Sequence, residues 1–188
     1  MSKYAFIHIP KNAGQSIERA LRNVPEIDFF GHGVLKHRIK DHKKIYVLRD
    51  PVDRFTSAFF YLKKYRYNRE NNFFKNPDEL LRALGESDLR ADQFMKIHKG
   101  FHHVNGEPIK TDWVFHPQSA WIFDPWRIML FHKLNEEIES LNATLGVDIK
   151  INHHNISNRV DFEYSADSLN MIHTIYEKDF ELFITHKI

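Results

Sequence analysis

Two short stretches of this chain place a cation and a hydroxyl around a turn that follows an apolar run. The first is Pro10-Lys11-Asn12-Ala13-Gly14-Gln15-Ser16. It follows the apolar residues Tyr4 to Ile9 and precedes Ile17, Ala20 and Leu21, which recur at helical spacing. A strand-to-helix turn of this kind presents unbonded backbone N–H groups and the positive end of the helix dipole, which together make an anion site. Gly14 allows close backbone approach, Lys11 supplies a point charge and Ser16 a hydroxyl. The loop is not of the G-x-x-x-x-G-K-[ST] type, in which lysine stands directly before the hydroxyl residue. Here Lys11 precedes Ser16 by five positions. Alone, the stretch also fits an ordinary turn with a solvated lysine.

The second stretch is Arg49-Asp50-Pro51-Val52-Asp53-Arg54-Phe55-Thr56-Ser57, after the apolar run Ile45 to Leu48. Arg49 stands at the carboxyl end of a predicted strand, where open α/β sheets bind ligands. Its planar fork suits a phosphate. With a helix opening at Pro51, Ser57 lies nearly two turns along it. A local ion-pair knot among Arg49, Asp50, Asp53 and Arg54 would explain the same residues. Taken together, the two stretches suit a ligand that carries two separated phosphate groups.

The elements that position them alternate. Lys3–Ile9 reads as a buried strand, followed by a helix from Gln15 or Ser16. Ile27–Phe30 and Ile45–Leu48 read as further strands, and a helix runs from Val52 to Tyr67. Helical pieces are expected at Asp78–Leu84, Leu89–His98 and Asn135–Leu145, the last closed by Gly146. Ile128–Phe131 is another strand, and Ser165–Phe183 an amphipathic C-terminal helix. This order predicts one α/β domain over 1–188, with a parallel sheet of four or five strands flanked by helices.

Composition narrows the function classes. The 188 residues contain no cysteine, which excludes thiolate chemistry and disulfide scaffolds. The net charge of +2 suits an anionic ligand and not a dedicated nucleic-acid binder, because 27 basic residues are offset by 25 acids. No apolar run approaches the roughly 20 residues of a membrane span. A soluble, cytoplasmic protein is the expectation.

Phe6-Ile7-His8-Ile9-Pro10-Lys11-Asn12-Ala13-Gly14-Gln15-Ser16 resembles the 5′-phosphosulfate loop of sulfotransferases that use 3′-phosphoadenosine 5′-phosphosulfate (PAPS). It is most similar to the "HIPKTAGTS" form of the carbohydrate group related to heparan 2-O and chondroitin sulfotransferases. Val47-Leu48-Arg49-Asp50-Pro51-Val52-Asp53-Arg54-Phe55-Thr56-Ser57-Ala58 resembles the 3′-phosphate motif of that family, with Arg and Ser eight apart. Phe115-His116-Pro117-Gln118-Ser119 and Tyr176-Glu177-Lys178-Asp179-Phe180 resemble its weaker features. Asn12 and Gln15 stand where threonines are usual, which removes two hydroxyls.

The resemblance implies a P-loop-NTPase-like fold and transfer of a sulfuryl group from PAPS to an acceptor hydroxyl, leaving adenosine 3′,5′-bisphosphate. A carbohydrate is the expected acceptor, and no metal is required. Lys11 would stabilise the leaving phosphate. Lys11, Asn12, Ala13, Gly14, Gln15 and Ser16 would bind the 5′ side, and Arg49 and Ser57 the 3′-phosphate. The general base is assigned to His32, between two glycines after the second strand, with His37, His42 and Asp28 as competitors.

The basic run Lys36 to Lys44 and the cations Lys63, Lys64, Arg66 and Arg69 would attract an anionic acceptor or form solvated faces. Trp113, Trp121 and Trp126 would stack on a ring or fill the core. Histidine spacings, including His98/His102 and the adjacent pairs at His102 and His153, give no metal site. Two alternatives stay open. One is an ATP-dependent small-molecule kinase of related fold, disfavoured by the missing Lys-Ser/Thr pair. The other is a nucleotide-binding module without catalysis.

Overall fold

The structure is a computed structural model that describes residues 3–32, 36–65, 73–96, 103–104, 107–109, 111–151 and 162–187. Its chain order is β1 (Tyr4–Ile7), α1 (Gly14–Leu21), β2 (Ile27–Phe30), β3 (Lys43–Leu48), α2 (Pro51–Tyr65), α3 (Pro77–Gly85), α4 (Leu89–Met95), β4 (His103–Val104), β5 (Glu107–Pro108), β6 (Pro125–Leu130), α5 (Leu134–Leu145), α6 (Ala166–Ile175) and α7 (Glu177–Lys187).

Four strands form one sheet in the order β2-β1-β3-β6, every neighbouring pair parallel. Their residues are apolar on both faces, as a doubly covered parallel sheet requires. Phe6, Ile45, Val47 and Met129 point to one side, against Ile17 and Leu21 of α1 and Ile138 and Leu141 of α5. Ala5, Ile7 and Tyr46 point to the other, against Ile39 and Trp121. A third apolar cluster joins α2, α3, α4 and α6 through Phe55, Phe59, Leu80, Phe94 and Ile172.

The strand order sets the site. From β1 the chain passes to β2 on one side, and β3 lies on the other, so the direction of winding reverses between β1 and β3. Open α/β sheets leave a crevice at such a reversal, outside the carboxyl ends of the strands. The loops after β1 and β3 are the two stretches singled out by their residues.

Local sequence explains where the helices begin. Asp50 Oδ1 accepts hydrogen bonds from the amides of Val52 at 2.9 Å and Asp53 at 3.1 Å, capping α2 ahead of Pro51. Asn76 does the same for α3, accepting from Glu79 N at 2.9 Å before Pro77.

The C-terminal segment differs from expectation, being two helices and not one. The break falls at Tyr176, whose backbone leaves the helical region at φ −116° and ψ 27°. Its side chain is fully buried and its hydroxyl donates to Phe115 O at 2.7 Å. That anchor overrides an amphipathic pattern that would otherwise run straight through. The first strand is shorter than expected, Tyr4–Ile7, and the antiparallel pair β4–β5 is not among the expected strands, although the Asn105-Gly106 dipeptide between its two segments is a sequence signal for such a pairing. Helix α4 ends at Met95, while Tyr67 and His98, the expected ends of two helices, lie outside the described residues.

Candidate active site

The loop after β1 is bent by two non-glycine residues in the left-handed region, Lys11 at φ 68° and Ala13 at φ 60°. Such residues cost on the order of 1–3 kcal/mol each and persist where the surroundings over-determine them. The surroundings here are specific. Arg54, fully buried, donates from Nε to Pro10 O at 3.1 Å and from Nη2 to His116 O at 2.9 Å. Asn12, also buried, donates from Nδ2 to Val47 O at 2.7 Å and to Gln118 Oε1 at 2.8 Å. Asn12 therefore braces the loop from inside.

Gly14 is fixed by contact, not by backbone freedom. A Cβ at this position would lie 1.7 Å from His8 Cδ2. The imidazole of His8 occupies the space that any other residue would need. Helix α1 starts directly afterwards, with the amides of Ser16 and Ile17 donating to Ala13 O at 3.0 and 3.1 Å. Gln15 is exposed and Ser16 half-buried.

The second loop meets the first through Arg49. Its Nη1 donates to Lys11 O at 3.1 Å, and its guanidinium stacks on the Phe131 ring, 4.5 Å from the centroid. Ser57 lies half-buried in the second turn of α2. The local contacts of these residues differ in kind. Asp50 caps the helix, Arg49 turns to the first loop, and Arg54 is buried beneath it.

A chain of aromatic contacts runs from Lys11 to His8. The Lys11 ammonium sits over the Tyr61 ring at 4.3 Å. Tyr61 packs edge-on to Trp113 at 6.3 Å, Trp113 lies 4.3 Å from His32, and His32 lies 4.1 Å from His8. The structure thus links Lys11, His32 and Gly14 through Tyr61, Trp113 and His8.

Burial governs the electrostatics. Lys11 is lowered to about 8, by burial first and then by the cations Arg49 and Arg54. His32 is lowered to about 4, mainly by burial, and His8 to about 3 by burial and the neighbouring His32. His116 is lowered to about 4 by burial and Arg54. At neutral pH the site holds cationic lysine and arginine beside uncharged imidazoles.

The tautomer of His32 follows from its partner. Nδ1 lies 2.8 Å from His8 O, and a carbonyl only accepts, so Nδ1 carries the proton. The lone pair is then on Nε2. The backbone of His32 is held in turn by Trp121 Nε1, which donates to His32 O at 3.1 Å.

The competing bases lie elsewhere. His37 is exposed in a short 3-10 turn. His42 Nε2 pairs with Asp28 Oδ2 at 3.1 Å. Asp28 stands opposite Ala5 in the register, near the amino ends of the strands and away from both loops. Of the basic run, Lys36, Arg38, Lys40 and Lys43 are exposed, whereas Lys44 is buried and bonded to Asp124 at 2.8 Å. Lys63 is bonded to Phe74 O and Lys75 O, and Arg66 and Arg69 lie outside the described residues. Trp121 is core, Trp126 packs on Tyr4 at 4.9 Å, and Trp113 belongs to the site. His98, His102, His153 and His154 lie outside the described residues.

His8, Tyr61, Arg54 and Gln118 join the site without a local sequence signal that assigns them these contacts. Arg54 sat within a motif whose charges read as a surface knot, and His8 within an apolar run. Only the weak resemblance around Gln118 pointed toward its position.

Two loops carrying Lys11 and Arg49 meet at the reversal point of a four-stranded parallel sheet, the place where open α/β proteins bind their ligands. The profile of the Sulfotransferase family matches residues 2–184, and the chain belongs to that family of PAPS-using enzymes. The parallel sheet flanked by helices accords with its P-loop-like fold. No curated protein and no solved structure matches the chain significantly. Among the described residues no helix is long and apolar enough to cross a membrane.

Proposed function

We propose that this sulfotransferase moves the sulfuryl group of PAPS to an acceptor hydroxyl, with a carbohydrate as the expected acceptor. The observation that carries the reading is the joining of two cationic loops at the sheet reversal by Arg49 Nη1 on Lys11 O. In this reading the loop amides, Lys11 and Ser16 hold the 5′ side of the donor. Arg49 and Ser57 hold its 3′-phosphate, which separates PAPS from ATP. PAPS supplies an activated sulfuryl group on a good leaving phosphate.

The protein's own groups then have defined tasks. His32 Nε2 takes the proton from the acceptor hydroxyl as the new S–O bond forms. Lys11 donates to the bridging oxygen as the old S–O bond breaks, where negative charge builds. Arg49 and Arg54 hold the surrounding potential positive. The site asks for no metal in this scheme.

The test is turnover of PAPS to adenosine 3′,5′-bisphosphate with a panel of hydroxyl acceptors that includes mono- and polysaccharides. Sulfated acceptor with wild type, and little with Lys11→Ala, supports the reading. Turnover of ATP in place of PAPS overturns it in favour of a kinase. No turnover of either donor, with nucleotide still bound, favours a non-catalytic module.

A further inference from the structure

Gln118 sits on neither loop, yet its side chain touches both. Oε1 accepts from Asn12 Nδ2 at 2.8 Å and from Arg49 N at 3.3 Å, and Nε2 donates to Arg49 O at 2.8 Å. Behind it, the amides of Gln118 and Ser119 donate to Asp179 Oδ2 and Oδ1, each at 2.8 Å. Gln118 and Asp179 are both fully buried. Tyr176, at the break directly before the helix that carries Asp179, donates to Phe115 O at 2.7 Å.

We propose that Gln118 is a positioning residue that fixes the spacing between the two phosphate-binding loops, with Asp179 as its anchor. This rests on the reading of those loops as the 5′ and 3′ subsites of one ligand.

The chemistry selects an amide. The fork needs one acceptor for Asn12 and Arg49 N, and one donor for Arg49 O, on adjacent atoms. Glutamine supplies both, whereas an ionised glutamate only accepts and leucine does neither. Each loop also has supports that Gln118 does not provide, Arg54 on Pro10 O for the first and Asp50 on the α2 amides for the second. Loss of Gln118 therefore leaves each subsite formed and relaxes the distance between them. A ligand that engages both subsites gains by having its second contact made intramolecularly, and loses that gain when the spacing is wrong.

The test compares wild type, Gln118→Leu and Gln118→Glu by titration with adenosine 3′,5′-bisphosphate, adenosine 5′-phosphate and adenosine 3′-phosphate. In Gln118→Leu the bisphosphate weakens about tenfold or more, while each monophosphate stays within about twofold. Gln118→Glu supplies a second readout, and serves where the leucine variant fails to fold. Its ionised carboxylate keeps the acceptor and loses the donor to Arg49 O, so the bisphosphate weakens there too while each monophosphate stays within about twofold. Equal losses for all three ligands, or an unchanged bisphosphate affinity, would overturn the proposal. A wild-type protein that ignores the bisphosphate would overturn the reading of the site itself, a result seen before any variant is made.

Discussion

The side chain of Arg49 is hydrogen-bonded to the backbone of Lys11, Nη1 to carbonyl oxygen at 3.1 Å across 38 residues of sequence. The bond does two things. It holds a guanidinium at the carboxyl end of β3, stacked on Phe131, and it pins Lys11 in a left-handed conformation that lysine does not favour. The two cations of the site are therefore placed by one another. Burial first, and then the charges of Arg49 and Arg54, lower the Lys11 ammonium.

Replacing His32 by alanine removes the proposed base, whose own side-chain hydrogen bond runs to His8 O and not to Lys11 or Arg49. Turnover with an alcohol acceptor falls by about 10²–10⁴-fold. Affinity for adenosine 3′,5′-bisphosphate stays within a few-fold. The pair of measurements separates a base from a donor ligand, since a binding residue would lose affinity as well.

Lys11 gives the pH profile an alkaline limb. Its pKa in the free enzyme is lowered to about 8, so kcat/KM for PAPS falls as pH rises through that value and the ammonium is lost. Lys11→Arg keeps its charge far above this range. It therefore flattens the limb, even where its overall rate is lower. A limb unchanged in Lys11→Arg would assign the titration to another group.

Gly14→Ala is predicted to damage the loop through His8, because the new Cβ would lie 1.7 Å from His8 Cδ2. Overpacking of this kind costs typically 1–3 kcal/mol. The clash is pairwise, so His8→Ala in the same chain restores much of the lost stability. Urea midpoints of the two single variants and the double variant measure the coupling, and simple additivity would refute it.

Acid should unfold the protein early. His8, His32 and His116 have folded pKa values of about 3, 4 and 4, all below the ordinary 6.5. Between those values and 6.5 the unfolded chain binds more protons, so stability rises with pH across that window. Urea midpoints at pH 7.5, 6 and 5 should decline in that order. A flat series would mean that the three imidazoles are not buried neutral in solution.

Much of this was legible in the chain itself. The β–α alternation, the apolar strands and the two cationic turns follow from residue type and spacing, and Asp50-Pro51 marks the start of α2 in the sequence. What could not be read were groups whose meaning depends on distant partners. Arg54 looks like a surface charge until Pro10 O and His116 O are brought to it. Asn12 looks like a ligand donor until Val47 O and Gln118 claim its amide. Tyr176 breaks a helix that its own periodicity would continue, because Phe115 O lies within reach of its hydroxyl. In each case a long-range contact decided against a local pattern.

The central claim is that the two loops recognise phosphate groups at both ends of one nucleotide. Calorimetric titration with adenosine 3′,5′-bisphosphate, and with ATP and ADP with and without magnesium, tests it most directly. The account predicts strong preference for the bisphosphate. It also predicts a loss of roughly tenfold to a hundredfold in Arg49→Ala, the scale of a charge-assisted hydrogen bond, and a smaller loss in Ser57→Ala. Preference for ATP with magnesium, or a bisphosphate affinity indifferent to Arg49, would contradict it.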